Sequence, residues 1–231
     1  MSLNDRPATS PSGELIPGMR GWLHGAAVPV AAVVAGLLWC AAAPGLPRAS
    51  TAVFGIALVG LYSVSALYHL GRWSPRGRRW LGRMDGAMIQ LFIAATFTPV
   101  AVHALDGTWR TASLIIAWTI ALIGAGVAMS PTTPPARLSV AAYVTFGLLA
   151  AIPLVRIGAV LAPAGTVLIG LGGAVYILGG LIYARQRPDP WPAWFGFHEV
   201  FHVLVVLASA IHLIAIWRYV LPLASSGASG G

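Results

Sequence analysis

Two histidines four residues apart, in His198-Glu199-Val200-Phe201-His202, open the last long apolar segment of this 231-residue chain. A step of four puts both imidazoles on one face of a helix, and imidazole nitrogen is a common zinc ligand. His-Glu-x-x-His is also the zincin signature, in which the glutamate is the general base of a metalloprotease. Glu199 lies about 100° around the helix from His198, where it can point away from a metal. A carboxylate in a first helical turn is also favoured by the helix dipole alone. Either reading needs a third ligand from elsewhere in the chain.

The candidates are few. Ser65-Ala66-Leu67-Tyr68-His69 ends one apolar run and Asp85 opens the next, sixteen residues after His69. His69, His198 and His202 would be the three protein ligands of a catalytic zinc site, which leaves one position for water. Asp85 could take that water's hydrogen bond and act as general base, and Ser65, one turn before His69, could orient the water or hold a substrate carbonyl. Taken singly, each has a plainer role. A histidine can join two helices by a hydrogen bond, Asp85 can pair with Arg83 or Arg79, and Ser65 can bond its own backbone.

The elements that must position these residues are membrane helices. Of the chain, 58% is hydrophobic and 9% charged, with a mean hydropathy of +0.80. Apolar runs fall at about 23–43, 50–71, 85–104, 111–130, 137–155, 163–184 and 197–220, each near the roughly 20 residues that cross the hydrocarbon. Unbroken runs lack the alternation of barrel strands, so the expected fold is an all-α integral membrane bundle of seven transmembrane helices spanning residues 20–222. Residues 1–19 and 223–231, rich in Pro, Gly and Ser, are expected to be disordered tails. Arg20, the run after it and Ala41-Ala42-Ala43 resemble a cleavable signal peptide, but six further runs make an uncleaved first helix the simpler reading.

All 14 basic residues are arginines. The first tail and the connections after runs two, four and six hold Arg6, Arg20, Arg72, Arg76, Arg78, Arg79, Arg83, Arg137, Arg185 and Arg187. The other side holds only Arg48, Arg110, Arg156 and Arg218. This bias predicts a cytoplasmic N-terminus and an external C-terminus in a multi-pass plasma (inner) membrane protein. The net charge of +8 is thereby explained without nucleic acid; membrane lipids are the expected partners. On this topology His69, Asp85, His198 and His202 fall at one depth on three different runs. Intramembrane ionisable residues are costly, and their agreement in depth favours a metal site over three separate packing roles.

Other polar and special residues read as scaffold. His212 lies about 15 Å beyond His202, too far to share its ion, and is expected to hydrogen-bond in the core or line a lipid cavity. His24 and His103 read as interfacial. So do Trp22, Trp73, Trp80, Trp109, Trp191, Trp194 and Trp217, near run ends. Gly170, Gly172, Gly173, Gly179 and Gly180 mark a close-packing helix, and lone Cys40 reads as a lipid-facing or packing residue. Pro75–Arg79 is either a topology signal or a contact for anionic headgroups.

At these residues the chain resembles the hemolysin III family, within the progestin and adipoQ receptor group that includes the adiponectin receptors. Three motifs carry the resemblance: Ser65-x-x-x-His69, Asp85 in Arg-Met-Asp-Gly with the following Ala95-Thr96-Phe97-Thr98-Pro99, and His198-x-x-x-His202 with His212. It implies zinc ligands at His69, His198 and His202, a water-binding acid at Asp85 and the motif serine at Ser65. Many bacterial members have histidine after the motif aspartate, where this chain has Gly86.

The expected function is a zinc-dependent hydrolase of a lipid amide or ester, with a zinc-bound water as nucleophile. The alternatives are a non-enzymatic membrane-homeostasis or receptor-like protein in which zinc is a staple, a cytolytic hemolysin, and an intramembrane metalloprotease. A staple would need four protein ligands, and no cysteine or further histidine lies at the expected depth.

Overall fold

The computed structural model describes residues 17–132 and 135–226. Its helices are α1 (Trp22–Ala41), α2 (Leu46–Leu70), α3 (Pro75–Ala104), α4 (Gly107–Met129), α5 (Ala136–Ala150), α6 (Leu154–Val160), α7 (Pro163–Arg185) and α8 (Phe197–Ala215). A π-helical turn over Ile216–Val220 leads from α8 into α9 (Leu221–Ser226). Among the described residues the only β-interaction is an isolated Trp191–Phe195 bridge.

Six helical segments are long and apolar enough to cross a membrane, and the α5–α6 pair makes a seventh if its 42° bend lies within one span. The chain is thus an all-α, multi-spanning membrane bundle. The bend falls at Ala151–Pro153. Proline lacks the N–H that would continue the ladder and clashes with the preceding turn, which breaks the helix there. Burial is inverted relative to a soluble protein: Ile56, Val155 and Val167 are more than 60% exposed, whereas His24, Ser65, Gln90, Glu199, His202 and His212 are buried. Apolar side chains facing outward suit lipid as the solvent, and polar groups gather inside, away from it.

Sequential helices pack as neighbours, α1 on α2, α2 on α3, α3 on α4 and α7 on α8, while α8 also meets α1. The ring is thinnest at α5, which rests mainly on α7 and lightly on α3 and α4. The start of α1, the end of α2 and the starts of α3 and α8 lie at one end of the bundle.

Several boundaries differ from expectation. The third helix starts at Pro75, ten residues before Asp85, because Ser74 caps it by accepting from the Gly77 N–H and Pro75 occupies its first position. At about 45 Å it exceeds the roughly 30 Å of hydrocarbon, so its arginine-bearing turns project into the interface. The fifth run continues to Val160 after its bend, and the last helix runs past the expected start of the second tail at 223 to Ser226. Of the first expected tail, residues 17–19 are held in place, with the Gly18 and Met19 N–H groups donating to the Ala193 and Trp194 carbonyls. Residues 1–16 and 227–231 lie outside the described residues.

Candidate metal centre

The end of α2, the first third of α3 and the first turns of α8 bring the polar residues together. The candidate ligand atoms of His69, His198 and His202 all lie within 4.8 Å of one another. Helical spacing supplies the His198–His202 pair, whose ring centroids are 4.6 Å apart, and α2 contributes His69 from the facing side. His69 Nε2 lies 3.2 Å from His198 Nε2. Two nitrogens at normal bond length from one tetrahedral zinc would be about 3.3 Å apart.

The residues present fit a metal on a second count. His202 is 2% exposed, and its Nδ1 is buried with no hydrogen-bond partner among the described residues. A buried imidazole nitrogen left unpaired is costly, and a cation at the cluster would use nitrogens of this kind. Among the described residues no other histidine, cysteine or carboxylate joins the three in one ligand group.

Asp85 lies beside the cluster, with Oδ2 3.8 Å from His69 Nε2. The Ser65 side chain, one helical turn before His69 and buried, lies close enough to the Asp85 carboxylate to interact with it. Next to Asp85, the Gly86 carbonyl accepts a long 3.5 Å bond from the Tyr143 hydroxyl of α5.

Glu199 is turned elsewhere. It is fully buried, forms an ion pair with Arg20 through Oε1, and accepts the Gly196 N–H through Oε2 at 2.8 Å. Both oxygens are therefore committed: the Gly196 contact belongs to the first turn of α8, where a carboxylate was expected on dipole grounds, and the pair with Arg20, which the sequence did not suggest, ties the segment before α1 to α8. His212 Nδ1–H donates to the Ala208 carbonyl, 3.0 Å away, and the ring stacks on Tyr176 and also borders a cavity.

His24 overturns an expectation. It is 3% exposed rather than interfacial, and its ring stacks on His202 with centroids 4.0 Å apart and planes 12° from parallel. Neither of its ring nitrogens has a partner among the described residues. The depth argument applied to His69 and His198 would have reached it, because the first run starts at the same end of the bundle. Gln90, buried with an unpartnered Oε1, was likewise not anticipated, and no spacing in the sequence marks it.

A cavity of about 2280 Å³ runs from the histidines between α3, α4, α5 and α7. Its deeper wall carries Phe92, Phe97, Val100, Ile169 and Tyr176 and reaches His212.

Residues 16–213 match the family profile described as haemolysin-III related. The chain is 29% identical over 170 residues to "Hemolysin-3 homolog" of Bacillus subtilis (strain 168), covering 74% of this chain and 76% of that protein. It is 28% identical over 210 residues to "Heptahelical transmembrane protein ADIPOR2" of Oryza sativa subsp. japonica, covering 80% and 90%. With "Monocyte to macrophage differentiation factor" of Homo sapiens it shares 25% over 174 residues, covering 72% and 68%.

Proposed function

The chain belongs to the haemolysin-III-related family, and from that membership and its histidine cluster we propose that it is a zinc-dependent hydrolase of a membrane-lipid amide or ester. The observation that carries this reading is the three-histidine ligand set beside Asp85, at the edge of a cavity large enough for a lipid chain. A site with three protein ligands keeps a position for chemistry, whereas a structural staple is closed by four.

His69, His198 and His202 would hold the ion, chosen as zinc on ligand type. Zinc bound there would supply Lewis acidity and make a water acidic enough to lose a proton near neutral pH. Asp85, oriented by the Ser65 hydroxyl, takes a proton from the attacking water and passes it to the departing amine or alkoxide as the acyl C–N or C–O bond breaks. The cavity's apolar wall accommodates the acyl chain and keeps bulk water from it. In this reading the fold has seven spans in the plasma membrane, N-terminus cytoplasmic and C-terminus outside, as the arginine bias favours.

Elemental analysis of detergent-purified protein, paired with hydrolysis of lipid amides and esters, tests this. Wild type should carry about one zinc per chain. His202→Ala should lose metal and turnover together, whereas Asp85→Ala should keep the metal and lose roughly 100-fold or more in rate. A His202→Ala protein that hydrolyses like wild type would sink the proposal, as would metal-free wild type.

A further inference from the structure

The arginines at the histidine end of the bundle divide into two groups. Arg20, Arg78, Arg79, Arg83, Arg137 and Arg185 line the large cavity, and the carboxylates in that lining are Asp85 and Asp189. Arg72, Arg76 and Arg187 come from the same connections and helix ends but do not line it. Three of the lining guanidiniums already have protein partners: Arg20 pairs with Glu199, Arg83 donates to the Pro131 carbonyl and Arg78 lies over the Tyr68 ring. Arg79, Arg137 and Arg185, from α3, α5 and α7, have no such partner among the described residues.

The far end of the bundle is different. There Arg48 donates to the Ala42 carbonyl, Arg110 donates to the Leu105 carbonyl, and Arg156 lies over the Trp109 ring. Arg218 has no such partner among the described residues, and none of the four lines the large cavity. A topology signal needs positive charge in the connections. It does not need guanidiniums from three helices to line one cavity alongside only two carboxylates.

We propose that this cavity mouth binds the phosphate of an anionic membrane lipid whose acyl chain occupies the apolar interior. Guanidinium presents a planar fork of donors that matches phosphate oxygens, and a cavity lined by one sign of charge concentrates its counter-ion. The order of groups along the cavity is arginines, then the histidine cluster, then an apolar wall reaching His212. A phospholipid presents phosphate, acyl carbonyl and hydrocarbon in the same order. The binding stands on the arginine geometry; that such a lipid is also the substrate rests on the hydrolase reading.

The test uses a short-chain ether-linked phosphatidylglycerol, which has no acyl bond to cleave, titrated into delipidated full-length protein in neutral detergent. Thermal unfolding is the readout, since a ligand of the folded state raises the midpoint. Wild type should respond at roughly tenfold lower concentration than to the matching phosphatidylcholine, and inorganic phosphate should not reproduce the effect. The triple variant Arg79→Gln/Arg137→Gln/Arg185→Gln should lose the preference, and Arg72→Gln/Arg76→Gln/Arg187→Gln, with the same change in charge, should keep it. An unchanged midpoint without lipid establishes that the lining variant is folded, and the wild-type comparison of lipids stands whether or not it is. Equal response to both lipids, equal loss in both triple variants, or inorganic phosphate acting as well as the lipid would each overturn the proposal. Since nothing is hydrolysed here, phosphatidylglycerol preference without any turnover on acyl lipids would remove the hydrolase reading alone.

Discussion

His24 and His202 lie ring on ring at 4.0 Å, and His202 belongs to the candidate ligand set. A stacked ring from α1 restricts rotation of the His202 imidazole and so holds its orientation toward the cluster. Groups that orient a metal ligand commonly change affinity when removed. His24→Ala should therefore weaken metal retention roughly tenfold or more in competition with a soluble chelator. His24→Phe, which keeps a flat ring and removes both nitrogens, should restore most of it. An alanine variant holding metal as tightly as wild type would show that the stack has no orienting role. The candidate ligand set itself was legible in the sequence, because a step of four on a helix and a histidine at matching depth are one-dimensional signals. The stack was not, since nothing in the order of residues says which neighbour His24 will face.

At the scale of elements, the seam between α7 and α8 depends on glycine. Gly165, Gly172 and Gly179, seven residues apart, form the buried stripe of α7. A Cβ at Gly172 would fall on the His212 imidazole, whereas one at Gly173 would meet nothing within 4 Å. Gly172→Ala should thus cost about 1–3 kcal/mol by overpacking. Gly173→Ala should be neutral or stabilise by up to about 1 kcal/mol, because alanine is the better helix former. Thermal unfolding in detergent compares the two, and equal effects would contradict the seam. The glycine-rich composition announced a packing helix. It did not separate Gly172 and Gly179, which meet α8, from Gly180, which meets Val140 of α5, or from Gly170 and Gly173, which face open space. Two boundaries were also hidden. The α3 start was written in Ser74-Pro75, but a hydropathy reading stops at the arginines that follow, and the Pro153 bend interrupts a run that is apolar on both sides.

At the scale of the whole molecule, the bent α5–α6 pair decides whether the termini share a side of the membrane. If it is one span the total is odd, and reporter domains fused at the N- and C-termini should report opposite compartments, with the C-terminal one external. Same-side reporters would mean that the pair re-enters and that six helices cross. Composition alone determined that the chain is a helical membrane bundle, because a whole-chain mean hydropathy of +0.80, gathered into runs of about membrane length, admits no other solvent for most of its surface. Spacing and depth determined which histidines could share an ion. Only the tertiary structure decided that Glu199 is spent on Arg20, that His24 joins the histidine layer, and that six arginines, but not Arg72, Arg76 or Arg187, line one cavity. Those facts depend on the rotation of each helix about its own axis, which is set by packing against neighbours distant in sequence and leaves no trace in the order of residues along a uniformly apolar run.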